Sequence, residues 1–272
     1  MPETTLEAHS PREHFSLNKI GKVLETYVLD TGKFDPVGVY RHTYDICTIL
    51  QDNAFASEGQ ITLERVPGED GTFTLKILCD RRTIHNPHSF IMEAELTCIN
   101  DQLSTPVSWE FSSKIALSPD DAPYLMSGQE KRGSVKEGEV IIEAHNGQIK
   151  RTAIPGDHTC KWCLLDAVQR FTGSNMAPVT FSLIDEFDEV HLGQHISFGE
   201  AARLEMTGGT RDFNAYKHIG KGVIPTVFWV DQNHRLLFLT SGSEAYILRD
   251  ADGVSAEYEG QELLQFPQGK KL

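Results

Sequence analysis

Residues Asp157-His-Thr-Cys-Lys-Trp-Cys-Leu-Leu-Asp-Ala-Val-Gln-Arg-Phe171 stand near the middle of the chain and predict an amphipathic helix. Asp157 is a residue type that caps helix N-termini, and Gly173 is the type that ends helices. Apolar side chains recur at the i, i+3, i+4, i+7 spacing of one helical stripe. The stripe comprises Cys160, Cys163, Leu164, Ala167, Val168 and Phe171. We therefore expect one helix over residues 157–172.

The first half of the chain alternates apolar and polar residues. Within residues 72–79, one face of a strand would carry Phe73, Leu75, Ile77 and Cys79. Residues 90–98 and 107–117 repeat this period of two, which is typical of half-buried antiparallel strands. Gly-rich turn residues at 67–71 separate two of these strands and indicate a hairpin.

The block that ends the second half is apolar in a different way. It runs from residue 216 to a turn at Asp231 to His234, and a further strand follows at residues 235–240. Here alternation fails, because both faces of the strand would be apolar. One face holds Val223, Val227 and Trp229, and the other holds Ile224, Phe228 and Val230. Such a strand is covered on both sides, which we assign to the helix and to a lid or ligand.

These patterns predict a mostly β fold, in which a curved antiparallel sheet or half-barrel wraps one central amphipathic helix. We expect a disordered tail over residues 1–14 and a single β-rich domain over residues 15–250. Its two halves would be joined by a long loop at 118–138, which is rich in Pro, Gly and charge, and by the helix. Residues 251–272 would form a C-terminal extension.

The strand order and the block Gly222-Val-Ile-Pro-Thr-Val-Phe-Trp-Val-Asp231 resemble the bacterial antiparallel half-barrels. That group is typified by lipoprotein carriers and includes uncharacterised relatives. The resemblance implies a curved sheet around a helix, and it brings no catalytic signature. Those carriers are exported, whereas this sequence shows no export signal.

Composition narrows the set of partners and compartments. The formal charge of −14 and the absence of a basic face argue against nucleic acid. No run of apolar residues is long enough to span a bilayer, and the first residues lack the apolar core of a secretory signal. Five cysteines form no disulfide framework, which fits a reducing compartment. We expect a cytoplasmic protein without a cofactor, and the oligomeric state stays open.

Cys160-Lys-Trp-Cys163 allows three interpretations. A Cys-x-x-Cys at a helix N-terminus can be redox-active, because the helix dipole lowers a thiol pKa. With His158 and His195 the pair could form a zinc site and stabilise an interaction module. The spacing also places both sulfurs on the apolar stripe, and core packing is therefore the favoured interpretation.

An enzyme is a second functional possibility. Tyr216, Lys217 and His218 combine a phenol, an amine and an imidazole, which could abstract a proton beside a carboxylate in a carbohydrate lyase or hydrolase. Asp231 could complete an acid/base pair. The competing interpretation is a polar strand end, and the hydrolase and nucleotide-binding motifs are absent. Whether the protein is an enzyme stays open.

The leading hypothesis is a protein that binds a small or amphipathic ligand in an apolar-walled pocket between sheet and helix. Two groups of side chains are candidates for its wall. Tyr40, His42 and Tyr44 would share one face of a strand. Trp109, Phe111 and Trp229 would supply large aromatic surfaces.

Overall fold

The structure is a computed structural model that describes residues 33–49, 55–82, 89–116, 128–206, 209–251 and 254–255. Within these ranges the chain forms sixteen strands and one α-helix. The strands of the first half are β1 (Tyr40–Ile49), β2 (Phe55–Pro67), β3 (Thr72–Arg82), β4 (Ser89–Ile99), β5 (Pro106–Ala116), β6 (Gly128–Lys136), β7 (Glu139–Ala144) and β8 (Ile149–Ala153). Those that follow are β9 (His158–Cys160), β10 (Val179–Asp185), β11 (Glu189–Met206), β12 (Gly209–Ile219), β13 (Thr226–Asp231), β14 (Leu236–Ser241), β15 (Glu244–Ala251) and β16 (Val254–Ser255).

All strands belong to one curved, unclosed sheet, which confirms the predicted fold class. Two meanders, β1 to β8 and β9 to β15, meet where β1 pairs with β15. Neighbours run antiparallel except the short pair β9 and β10. The sheet order is β8-β7-β6-β5-β4-β3-β2-β1-β15-β14-β13-β12-β11-β10-β9, and β16 pairs with β15. The pairing of β1 with β15 makes the two halves one continuous sheet.

Strand β4 shows why the first half is half-buried. Met92, Ala94, Leu96 and Cys98 are buried on the inner face, the face that packs against the helix, while the residues between them are exposed. Each large apolar side chain buried in this way contributes about 1.5–3 kcal/mol. The period-two prediction is confirmed here.

Strand β13 is buried on both faces, as its sequence predicted. Phe228 lies on the inner face. Trp229 points the other way and stacks on Phe238, with ring centroids 5.6 Å apart. Val223 and Ile224 precede the strand and lie in a loop.

Helix α1 (Lys161–Ala167) is shorter than predicted and begins four residues later than Asp157. The preceding residues 158–160 pair with β10 as a strand. Cys160 caps the helix instead, because its Sγ accepts the Cys163 N–H at 3.2 Å. Every residue from Trp162 to Ala167 is buried, so the helix is enclosed rather than amphipathic. It ends in a 3₁₀ turn at 168–170, well before Gly173.

The prediction of a loop over residues 118–138 is wrong for its second part. Strand β6 occupies residues 128–136 and pairs with both β5 and β7. Residues 117–127 lie outside the described residues. Gly133 is not a turn glycine: a Cβ there would lie 2.0 Å from Trp109 Cε2, so the glycine makes room for the indole. The real turn is Glu137–Gly138, where both φ angles are positive.

Several predicted boundaries fall on residues that the structure does not describe. The N-terminal tail, residues 1–14, is one of them. Most of the C-terminal extension, residues 251–272, is another. Of that extension, Val254 and Ser255 pair with Asp250 and Ala251, so the sheet continues to residue 255.

Candidate functional site

A cavity of about 520 Å³ lies between helix α1 and the inner face of the sheet. Its volume falls in the range of small-molecule sites. Most of its wall is apolar. The apolar lining includes Ile46, Cys79, Met92, Trp162, Leu164, Leu165, Leu183, Phe228, Leu239 and Tyr246, with Phe90, Val223 and Ile224 partly exposed. Two meanders and the helix therefore contribute to one site.

His218 is a buried polar group in this wall, with 4% of its surface exposed. Its Nε2 lies 3.1 Å from Gln194 Oε1, and its ring stacks on Phe181. Gln194 Nε2 donates to the carbonyl oxygens of Leu192 and Lys221. Because both of these partners are acceptors, the amide oxygen faces the imidazole, so His218 Nε2 carries the proton.

His218 is neutral at pH 7. Its pKa is lowered to about 4: burial is the main cause, the Asp185 carboxylate opposes the shift, and the neighbouring His195 adds to it. A neutral imidazole protonated on Nε2 presents Nδ1 as a hydrogen-bond acceptor. Among the residues that the structure describes, Nδ1 has no hydrogen-bond partner.

Tyr246 places a phenol in the same wall. It is 6% exposed, and burial raises its pKa above the ordinary value, so the hydroxyl keeps its proton. Within the described ranges this hydroxyl makes no hydrogen bond. A ligand oxygen or nitrogen could satisfy it.

Charged side chains surround the apolar wall. Arg81 binds Glu58 at 2.5 Å and Glu244 at 2.5 Å. Lys161 Nζ lies 3.0 Å from Glu186 Oε1 and 3.8 Å from an Asp185 oxygen. Both cations of the cavity wall are therefore already paired. A ligand carboxylate would have to compete with these protein carboxylates for either cation.

The four predicted catalytic residues do not form one site. The Tyr216 hydroxyl accepts the Gly173 N–H at 2.9 Å in the core. Lys217 lies on the opposite face of β12, near Glu200. Asp231 accepts the N–H groups of Asn233 and Arg235 in its own turn. Strand register places it about five positions from His218, roughly 16 Å along the strands.

Tyr40, His42 and Tyr44 do share one face of β1, but they lie in a polar cluster beside the helix and do not line the cavity. The Tyr40 hydroxyl donates to Asp166 at 2.6 Å. Asp166 is fully buried and also accepts from Arg65, Ser104 and Arg170. This cluster joins helix α1 to the sheet.

Trp109, Phe111 and Trp229 also lie away from the cavity. Trp109 packs over Gly133, and Phe111 contacts Phe187 with ring centroids 5.1 Å apart. Trp229 is on the outer face of β13. Contacts with residues distant in the sequence determine where these three aromatic side chains lie. Their residue types alone do not show whether they belong to the core or to the cavity wall.

The predicted metal candidates do not converge. The described residues contain no group of three or more His, Cys, Asp or Glu side chains that could hold a metal ion. Cys160 and Cys163 are buried with sulfurs 3.1 Å apart, and Cys98 approaches Cys163 at 3.7 Å. Burial raises the pKa of the Cys160 and Cys163 thiols well above the usual value. His158 contacts the Pro106 carbonyl instead, and the geometry gives the zinc module no support.

The protein is an open, curved β sheet around a short enclosed helix, with a cavity between the two. This fold is similar to the crystal structure of a β-barrel-like protein of a domain of unknown function, DUF1849, from Brucella abortus. The TM-score is 0.54 at 9% sequence identity, covering 81% of this chain and 98% of that one. At such low identity the likeness concerns the fold, and it agrees with the resemblance to bacterial β half-barrels.

No protein-family model and no curated protein matches the sequence. Within the part of the chain that the structure describes, no helix has the length and apolar character needed to cross a membrane.

Proposed function

We propose that this protein binds a small amphipathic ligand in the cavity between helix α1 and the sheet. The observation that carries the proposal is the composition of the wall. Apolar side chains from both meanders form most of it, and His218, Tyr246, Thr226, Ser241 and Ser243 lie among them, with charged side chains beside them. Sites for small molecules combine an apolar lining with a few polar groups that orient the ligand. The cavity has this composition.

The enzyme alternative has less support. Its four residues are distributed over both faces of β12 and a separate turn, and His218 alone reaches the cavity. General acid–base catalysis requires groups within hydrogen-bond reach of the same reacting atoms. Ligand binding needs no such convergence.

The proposal is tested with 1-anilinonaphthalene-8-sulfonate, whose fluorescence rises in apolar surroundings. We expect saturable binding at one site per chain. Val223→Trp is the blocking variant, because Val223 lines the cavity from a loop and is only partly buried against the core. Ile219→Trp is the matched control, because Ile219 is exposed on the nearby strand β12 and lies outside the cavity lining.

The expected result is a loss of probe affinity of tenfold or more in Val223→Trp and unchanged affinity in Ile219→Trp, a contrast of about 1.4 kcal/mol. Circular dichroism of both variants controls for folding. Absence of saturable binding to the natural sequence, or equal binding by the two variants, would refute the proposal.

A further inference from the structure

We infer that the ligand of this cavity presents a neutral hydroxyl on an apolar body, and that His218 Nδ1 accepts the hydroxyl hydrogen. The inference rests on the proposed function and specifies the class of ligand. It depends on three features of the wall: the fixed orientation of the imidazole, the paired state of the cations and the apolar lining.

The orientation of His218 is set by Gln194, which is fully buried on β11. Its amide nitrogen is committed to two carbonyl oxygens, those of Leu192 at 3.2 Å and Lys221 at 3.1 Å. The amide oxygen is left for His218 Nε2 at 3.1 Å. His218 therefore donates through Nε2 and can only accept through Nδ1.

Nδ1 has no hydrogen-bond partner among the described residues, and it is not one of their fully buried unpaired side-chain atoms, so a ligand can reach it. A ligand that donates a hydrogen bond there supplies the partner that this acceptor lacks. A carboxylate or an ether oxygen would place a lone pair against the lone pair of Nδ1. The polar end of the ligand should therefore be a donor.

The charged side chains around the cavity indicate whether the polar group of the ligand is neutral, anionic or cationic. Arg81 and Lys161 are both engaged by carboxylates, so the described residues of the wall offer no unpaired cation to an anionic head group. The carboxylates of the wall, Asp185, Glu186 and Glu244, are in turn engaged by Lys161 and Arg81, so an ammonium group would have to compete with these cations for a partner. A hydroxyl donates without carrying charge, and it fits these surroundings best.

The test uses displacement of 1-anilinonaphthalene-8-sulfonate by four compounds with a nine-carbon or isomeric body. Nonan-1-ol and methyl octyl ether are isomers that differ in having or lacking a hydroxyl. Nonanoate and nonylammonium supply the two charges. At pH 7.5 we expect nonan-1-ol to displace the probe about tenfold more effectively than the ether, with both ions weaker than the alcohol.

Two variants assign the preference to His218. His218→Phe keeps a planar ring and removes Nδ1, and it should bring the ratio of alcohol to ether affinity close to one. His195→Phe alters a histidine of β11 outside the cavity lining, and it should retain the preference of the natural sequence. The comparison of the two isomers on the natural protein needs no variant, so the inference is testable even where His218→Phe folds poorly.

The outcomes separate the inference from the proposed function. Equal displacement by alcohol and ether, or stronger displacement by nonanoate or nonylammonium, overturns the inference while the cavity remains a binding site. Retention of the preference in His218→Phe overturns it as well. Failure of the probe to bind at all is the result that removes the proposed function itself.

Discussion

His42 and His218 are buried as neutral imidazoles. Burial and, to a smaller extent, the charge of Arg235 together lower the pKa of His42 to about 3. The pKa of His218 falls to about 4 for the reasons given above. Both values lie below the ordinary 6.5, so the unfolded chain binds these protons more readily than the folded chain.

Stability should therefore be complete above about pH 6.5 and decline as the pH falls toward 4 and 3. Urea unfolding followed from pH 7.5 to pH 4 measures this slope. In His42→Phe, which keeps the ring contacts with Tyr40 and Phe34, we expect a shallower slope. His145→Phe, at an exposed site, should reproduce the original slope; a slope unaffected by His42→Phe would contradict the assignment.

The carboxylate of Asp166, on helix α1, binds side chains of the sheet. It neutralises the buried Arg65 and the nearly buried Arg170. Asp166→Asn leaves both guanidinium groups without an anionic partner, and we expect a loss of about 3–5 kcal/mol in the free energy of unfolding. Chemical denaturation measures it.

The matched control for this variant is Asp212→Asn. Asp212 forms a bidentate ion pair with Arg203, but both side chains are exposed to solvent. Exposed pairs contribute little, so stability should be unchanged within error. Similar losses in the two aspartate variants would show that burial of the Asp166 cluster is unimportant.

The sequence could identify His218 but not its partners. Adjacency in the sequence groups Tyr216, Lys217 and His218, yet strand alternation turns Lys217 to the opposite face. The residue that orients His218 is Gln194, on the neighbouring strand, and no local pattern points to it. Asp231 behaves as the turn residue that its position suggested.

Strand β6 depends on one glycine. Gly133 lies directly opposite Trp109 in the sheet, and the indole fills the space that a side chain would take. Gly133→Ala should therefore overpack the core and cost about 1–3 kcal/mol or more, measured by thermal or urea unfolding. Gly128→Ala, in the same strand, would meet only the Ser113 carbonyl at 3.5 Å and should be tolerated. Equal stability of the two variants would contradict this packing.

Element types were more predictable than element limits. The helix, the alternating strands β3 to β5 and the doubly buried β13 all follow from apolar periodicity. The first residue of the helix does not follow from periodicity, because residues 158–160 pair with β10, and rules for local helix capping take no account of such a long-range pairing. Strand β6 was predicted as loop because its glycines and charges resemble a turn, whereas Gly133 serves the packing of a distant indole.

At the scale of the molecule, the described residues form one sheet that curves around the enclosed helix α1, as the sequence predicted. The cavity arises because the pairing of β1 with β15 brings β3 and β4 of the first meander opposite β13 to β15 of the second. Sequence periodicity does not specify this pairing. The aromatic residues that line the cavity could therefore not be separated from those in the core before the fold was known.

The three tryptophans of the chain offer a direct test of the site. Trp162 lines the cavity, whereas Trp109 and Trp229 do not. Bromine quenches tryptophan fluorescence at short range, so 8-bromooctan-1-ol reports which indole it reaches. The measurement is a fluorescence titration of the natural protein and of Trp162→Phe, Trp109→Phe and Trp229→Phe. We predict saturable quenching that is lost in Trp162→Phe and kept in the other two variants. Quenching that is absent, or that persists without Trp162, would contradict a ligand site between helix and sheet.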